Sequence, residues 1–284
     1  MRFSALATAV MAIPAVMASP LAPEVRPGAG FGCGTRDPTP DEIAATQEIA
    51  ALEASGNFTL EGRQNINIDV YFHVVASSTA LSGGYITAKM VDDQFKVLQN
   101  TFAPHGFSFT LKSTDYTVNS NWAQDGNELA MKRQLRKGDY KALNLYFLRS
   151  VGGNFGYCYF PTNAASGSND FIRDGCTILY TTVPGGSATN YNLGYTVTHE
   201  VGHWFGLYHT FQGSSCTGSG DLVSDTPAQL SSTSGCPRGR DSCPNQAGLD
   251  PITNFMDYSY DTCYEEFTAG QRTRMHSMWN QYRA

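Results

Sequence analysis

A chain of 284 residues with 41% hydrophobic content and a formal charge of −6 reads as one ordinary domain with a sizeable core, plus an additional segment. Its mild acidity, and the lack of any run of Lys and Arg, argue against nucleic acid or an anionic membrane as a partner.

The first element in chain order is a leader. MRFSALATAVMAIPAVMASPLAPE carries one early cation, Arg2, then an apolar run from Phe3 to Val16, with Val16-Met17-Ala18 placing Val16 and Ala18 where a signal peptidase reads small or β-branched residues. That is the pattern of a secretory signal cleaved after Ala18. The run is too short for a membrane span, which needs about 20 apolar residues, and no later segment qualifies. The expected location is therefore extracellular. Asn57-Phe58-Thr59, the single N-x-S/T sequon, fits that compartment as a glycosylation site. So do the seven cysteines, which a secreted chain usually pairs, leaving one over.

Residues 19 to 62 are expected to be a spacer or pro-segment. PLAPEVRPGAGFGCGTRDPTP is rich in Pro and Gly and reads as irregular; DEIAATQEIAALEASG reads as a short helix stopped by Gly56. The catalytic domain is expected over 63 to 284. INIDVYFHVVA alternates as a strand, ITAKMVDDQFKVLQNTFAPHG is helical, FSFTL is a short strand and DGNELAMKRQLRKG a helix. ALNLYFLRS and CTILYTTV read as further strands. A helix beginning near Tyr191 follows, then an irregular stretch from 212 to 251 with three cysteines, then a closing helix in TAGQRTRMHSMWNQYR. The early alternation of strands and helices predicts an α/β (α+β) upper half over a loop-built lower half.

THEVGHWFGLYHT, residues 198 to 210, holds three of the six histidines. His199 and His203 stand four apart, so on a helix they share a face and can grip one ion. Glu200 lies one residue further round, placed to hold a water rather than to ligate. His209 would lie about 15 Å along the axis from His199 if the helix continued, so the helix must end first. Gly206 is the residue able to end it, in the left-handed conformation. Three imidazoles with one position open to water form a catalytic zinc site, with zinc as the expected cofactor and Glu200 as general base. The whole HExxHxxGxxH pattern is a zinc-protease signature; three imidazoles converging without a metal would repel or desolvate one another.

This stretch resembles the metzincin metalloproteases. NFMDYSYDTC, residues 254 to 263, is similar to the clan's methionine turn, which makes Met256 the turn methionine and Tyr258 a hydrogen-bond donor to the oxyanion of the reaction. FGCGT, the opening strand, the zinc helix and the cysteines around the turn together resemble the pappalysin (cytophagalysin) family, and within it the secreted fungal metalloproteases, over residues 31 to 284. The resemblance implies a metzincin-like catalytic domain. A twisted sheet with a backing helix and the zinc helix would lie above the cleft, and an irregular disulfide-linked subdomain below. It implies bridges Cys216–Cys243 and Cys236–Cys263. Cys33, Cys158 and Cys176 remain, and which two of them pair stays open; a Cys158–Cys176 bridge inside the domain would make Cys33, in the pro-segment, the odd cysteine. A thiolate is a good zinc ligand, so Cys33 has two readings: a latency switch that blocks the metal, or a free or crosslinked thiol. The resemblance makes Asp261 the base of the pocket just after the scissile bond, favouring Arg or Lys; the alternative is a solvated turn residue. Family members can carry structural calcium, and no acidic loop here is distinctive enough to place one. The function implied is a zinc endopeptidase acting on protein or peptide substrates. A zinc-containing binding protein, whose mark would be a lost general base, and a zinc amidohydrolase on non-peptide substrates are the alternatives.

Overall fold

The computed structural model describes residues 32–55 and 65–284; the signal sequence, Asn57 and the Gly62-Arg63 bond lie outside them. Five strands form one sheet: β1 (Ile66–Ala76), β2 (Phe107–Val118), β3 (Leu143–Leu148), β4 (Gly156–Cys158) and β5 (Cys176–Leu179). Their order is β2-β1-β3-β5-β4, with β4 antiparallel to β5 and every other pairing parallel. LNLYFL of β3 is buried at all six positions, as a central parallel strand covered on both faces must be. In β1 the pattern alternates up to Phe72 and is then wholly buried through Ala76.

Helix α2 (Ala88–Phe102) starts at Thr87, whose hydroxyl accepts the Met90 N–H, and turns Met90, Gln94, Leu98 and Phe102 inward at every fourth residue. It rests on the sheet face bearing Phe72 and Phe147, where Phe95 meets the Phe72 ring edge-on at 6.3 Å. Helix α3 (Glu128–Leu135) lies on the other face, with the Lys132 ammonium 5.2 Å from the Tyr146 ring centroid; adjacent residues of a strand point to opposite faces. Helix α5 (Tyr195–Trp204) packs against α2, β4 and β5. Every residue from Thr196 to Trp204 is buried, so this short helix runs through the interior. Helix α6 (Ala269–Tyr282), begun by a capping box of Thr268 and Gln271, closes the core with Met275 and Trp279.

Helix α1 (Pro40–Ala54) is also opened by a capping box, Thr39 with Glu42. It lies against α6, where both Glu53 oxygens accept from the Arg274 guanidinium at 3.0–3.2 Å. Among the described residues, 205 to 268 contain no α-helix or β-strand, only a short 3₁₀ turn at Asp261–Cys263. Three disulfides close: Cys158–Cys176 between directly opposed residues of β4 and β5, and Cys216–Cys243 and Cys236–Cys263 in the lower half.

Four local expectations change. β2 runs on through Val118, because its polar second half pairs with Tyr71–Ala76 beyond a register shift. CTILYTTV stops being a strand at Leu179, where Tyr180–Thr182 tighten into a 3₁₀ turn. Helix α5 starts at Tyr195, not near Tyr191, because Gly194 just before it is left-handed at φ 92°. β4 and the five-residue α4 (Asn169–Arg173) fall in a loop with no periodic signal.

Candidate metal centre

The site hangs on α5 and its sudden end. Phe205 closes the helix, Gly206 turns left-handed at φ 88°, and the Gly206 and Leu207 amides donate to His203 and Gly202 carbonyls at 2.8 and 3.0 Å. A Cβ on Gly206 would stand 2.6 Å from Met278 Cγ, so both conformation and space require glycine. The reversed chain delivers His209 back to the two helical histidines. His203 Nε2 and His209 Nε2 face each other at 3.1 Å.

Two of the rings are oriented by backbone. His199 Nδ1 lies 2.7 Å from Phe255 O, and His203 Nδ1 lies 2.8 Å from Leu207 O. A proton on each Nδ1 satisfies these carbonyls and leaves Nε2 as the lone-pair nitrogen turned to the centre. Burial lowers the His203 pKa to about 4 and drives His199 and His209 well below the usual histidine range, so all three stay neutral, the form a metal needs. Met256 lies beneath: a Cβ on Gly202 would meet its sulfur at 2.4 Å, so the small residue inside the histidine pair admits the methionine. Tyr258 OH is 3.2 Å from His209 Nε2, and burial raises its pKa, which keeps it a protonated donor.

Glu200 is fully buried. Burial pushes its carboxyl up to about 8, against hydrogen bonds from Cys33 and Thr35 that hold it down. Its Oε1 is buried with no hydrogen-bond partner, while Oε2 accepts from the Thr35 hydroxyl at 3.0 Å and from the Cys33 thiol at 3.5 Å. Residues 32–34 lie along the outer edge of β4. Phe155 N–H donates to Gly32 O at 2.6 Å, and Gly34 N–H to Gly156 O at 2.7 Å. Cys33, the free cysteine of the described chain, thereby sets its sulfur 3.6 Å from His203 Nε2. Burial and the neighbouring Glu200 charge raise its pKa; a metal cation is what would favour the thiolate here. One donor atom each from Cys33, His199, His203 and His209 falls within 4.8 Å of the others. Three neutral imidazoles, a thiol and a neighbouring carboxylate with a bare oxygen fit a divalent metal.

Asp261 stands apart from this cluster. It is 1% exposed, its N–H donates to Asn190 O, and one oxygen accepts the Leu193 N–H at 2.8 Å just ahead of α5. The other oxygen is buried without a hydrogen-bond partner. Burial raises its pKa to about 7, opposed by the Leu193 and Tyr195 amides.

Sequence reasoning overlooked Thr35 and Phe211. Thr35 accepts the Cys158 N–H at 2.9 Å while donating to Glu200. Phe211 lies parallel to His209 with centroids 4.9 Å apart. Both flank residues that were singled out, Cys33 and His209, and that adjacency was the available signal.

Comparison with known proteins gives a consistent picture. Residues 137–280 match the peptidase family Peptidase_M43, described as pregnancy-associated plasma protein-A. An extracellular metalloprotease of Sordaria macrospora is 62% identical over 100% of this chain and 99% of its own length. Mature mirolysin of Tannerella forsythia, solved with a cleaved peptide, is 28% identical with a TM-score of 0.63, covering 76% of this chain and 92% of its own. A promirolysin mutant from the same organism is 26% identical with a TM-score of 0.67, covering 88% and 94%.

Proposed function

The chain belongs to the pregnancy-associated plasma protein-A (pappalysin) family of metalloendopeptidases, and within that family we propose that it is a secreted zinc endopeptidase made as a latent precursor. One observation carries the reading: three neutral imidazoles gather their ligand nitrogens within 4.8 Å, and the buried Glu200 carboxylate lies beside them, its Oε2 3.5 Å from the Cys33 sulfur of the same group. His199, His203 and His209 would hold the zinc, which would supply Lewis acidity toward water and the scissile carbonyl. Glu200 then takes a proton from the attacking water and gives it to the leaving amine. The Tyr258 hydroxyl donates to the oxyanion that forms on the former carbonyl.

Residues 19 to 62 act as the pro-segment. Cys33, whose sulfur lies 3.6 Å from His203 Nε2, would supply a fourth donor to the metal, and Thr35 would hold Glu200 through Oε2. The larger share of this chain matched by promirolysin than by mature mirolysin supports this division. Asp261 is the residue proposed to select Arg or Lys just after the scissile bond. Its bare buried oxygen calls for a cation, and an apolar side chain would leave the carboxylate unpaired at a cost of about 1–3 kcal/mol. Cleavage between Gly62 and Arg63 would then be self-processing, and Asn57 would carry a glycan.

Casein hydrolysis by the activated protein tests the function. Chelation should abolish it and zinc should restore it. Activity that survives complete zinc removal would end the metalloenzyme reading; zinc bound without hydrolysis would favour the binding-protein alternative. Peptides differing only after the scissile bond test the selectivity: Arg or Lys should beat Leu, and Asp261→Ala should erase the difference.

A further inference from the structure

We propose that Phe211 is a positioning residue for the third metal ligand, fixing the His209 ring and the Tyr258 hydroxyl through its contacts with both. The inference rests on the reading of His199, His203 and His209 as a zinc site.

The three ligand rings are not held alike. His199 and His203 leave a buried helix, and each is turned by a carbonyl at Nδ1. His209 arrives beyond Gly206, in irregular chain where no helix sets its direction. What surrounds it is rings. Phe211 lies parallel to it, with centroids 4.9 Å apart and planes 10° from coincident. Tyr258 meets His209 edge-on at 5.1 Å and 83°, and Phe211 meets Tyr258 edge-on at 4.8 Å and 75°. The three form a closed triangle of contacts, and one of its vertices is the hydroxyl 3.2 Å from His209 Nε2.

The backbone around Phe211 has its own anchors. Thr210 N–H donates to Met256 O, Gln212 N–H to His209 O, and Ser214 N–H to Phe211 O, at 3.0–3.3 Å. The Thr210 hydroxyl donates to Gln229 Oε1 at 2.7 Å. These bonds hold the turn without the Phe211 ring. Removing that ring therefore frees the rotation of His209 and takes the wall from behind Tyr258, with the path of the chain kept. Groups that orient a ligand from outside the coordination sphere change metal affinity by about 10–100-fold when lost. A flat ring is what the geometry calls for, since parallel contact depends on two planes rather than on volume.

The experiment uses the full-length, zinc-loaded chain and three variants: Phe211→Ala, Phe211→Leu and Phe211→Tyr. Zinc release to a chromophoric chelator and the zinc dissociation constant are measured for each. The visible spectrum of the cobalt-substituted protein reports the coordination geometry. Phe211→Ala should weaken zinc binding by about tenfold or more and alter the cobalt spectrum. Phe211→Tyr should stay within about twofold of the parent, with Phe211→Leu closer to Ala than to Tyr. Zinc affinity unchanged in Phe211→Ala overturns the inference, as does rescue by Leu equal to that by Tyr, which would mark Phe211 as filling. If Phe211→Ala does not fold, the Leu and Tyr variants alone decide it. A parent protein that binds no zinc would overturn the zinc reading itself, an outcome separate from both.

Discussion

The upper and lower halves of this molecule solve the same problem by different means. From Ile66 to Trp204 the chain is ordered by a hydrogen-bonded sheet and the helices packed on it. From Phe205 to Thr268 it is ordered by two disulfides, buried polar bonds and turns. Examples are Thr210 with Gln229, the Thr233 N–H with Asp257, and Arg240 with Asp250. The metal pocket lies on the seam. The upper half gives it His199, Glu200 and His203 on a helix, and the lower half gives it His209, Met256 and Tyr258 on loops. A site assembled this way is only as rigid as its looser half, so cross-links and close contacts there bear directly on catalysis.

The comparison breaks most sharply at a disulfide. Replacing Cys236 and Cys263 by Ser opens a loop of 27 residues in the lower half, worth about 3.5 kcal/mol in the chain-entropy account. Hydrogen exchange should then show new opening in residues 205–268, with β1 and β3 still protected. Uniform loss of protection would mean that the halves do not differ. Next comes the contact that joins them. Gly202→Ala puts a Cβ 2.4 Å from the Met256 sulfur. It should cost about 1–3 kcal/mol of overpacking in thermal or denaturant unfolding, and an unaffected midpoint would mean that the seam is slack.

The proposed latency gives a smaller effect. Thr35→Val keeps shape, but leaves the Cys158 N–H without its acceptor and frees Glu200 Oε2 of a donor. It should weaken pro-segment inhibition by about 1–2 kcal/mol, roughly five- to thirtyfold, on the scale of one or two hydrogen bonds. Cys33→Ala should raise basal activity further, and a precursor equally latent in both variants would remove residues 33–35 from the inhibitory role.

The remaining effect is in pH. Asp261 has a folded-state pKa raised from 3.8 to about 7, so the folded protein binds its proton more tightly than the unfolded chain. The stability this contributes is fully present below about pH 4 and is lost as pH rises through about 7. Asp261→Asn should therefore have a flatter stability profile than the parent across that window. Parallel profiles would show that the buried carboxyl titrates normally.

How much was legible in the sequence follows the same division. Repeating apolar positions exposed most of the upper elements, because a helix or strand writes its period locally. His199, Glu200, His203, Gly206 and His209 were legible for the same reason: all lie within one helix and one turn. β4 is three residues long and exists through its pairing with β5, so no period marks it. Thr35 meets Glu200 across 165 residues, and its place two residues after Cys33 is the one local trace of that contact. The polar end of β2 conceals its strand character because its pairing partner, not its pattern, holds it in the sheet.

The central claim is that three histidines hold zinc while Glu200 moves the proton, and Glu200→Gln tests it most directly. The amide keeps the shape of the carboxylate and cannot act as the base. The account predicts that the activated variant binds one zinc per chain as the parent does, while peptide hydrolysis falls by about 10²–10⁴-fold or more. Hydrolysis near the parent rate with zinc still bound would contradict it.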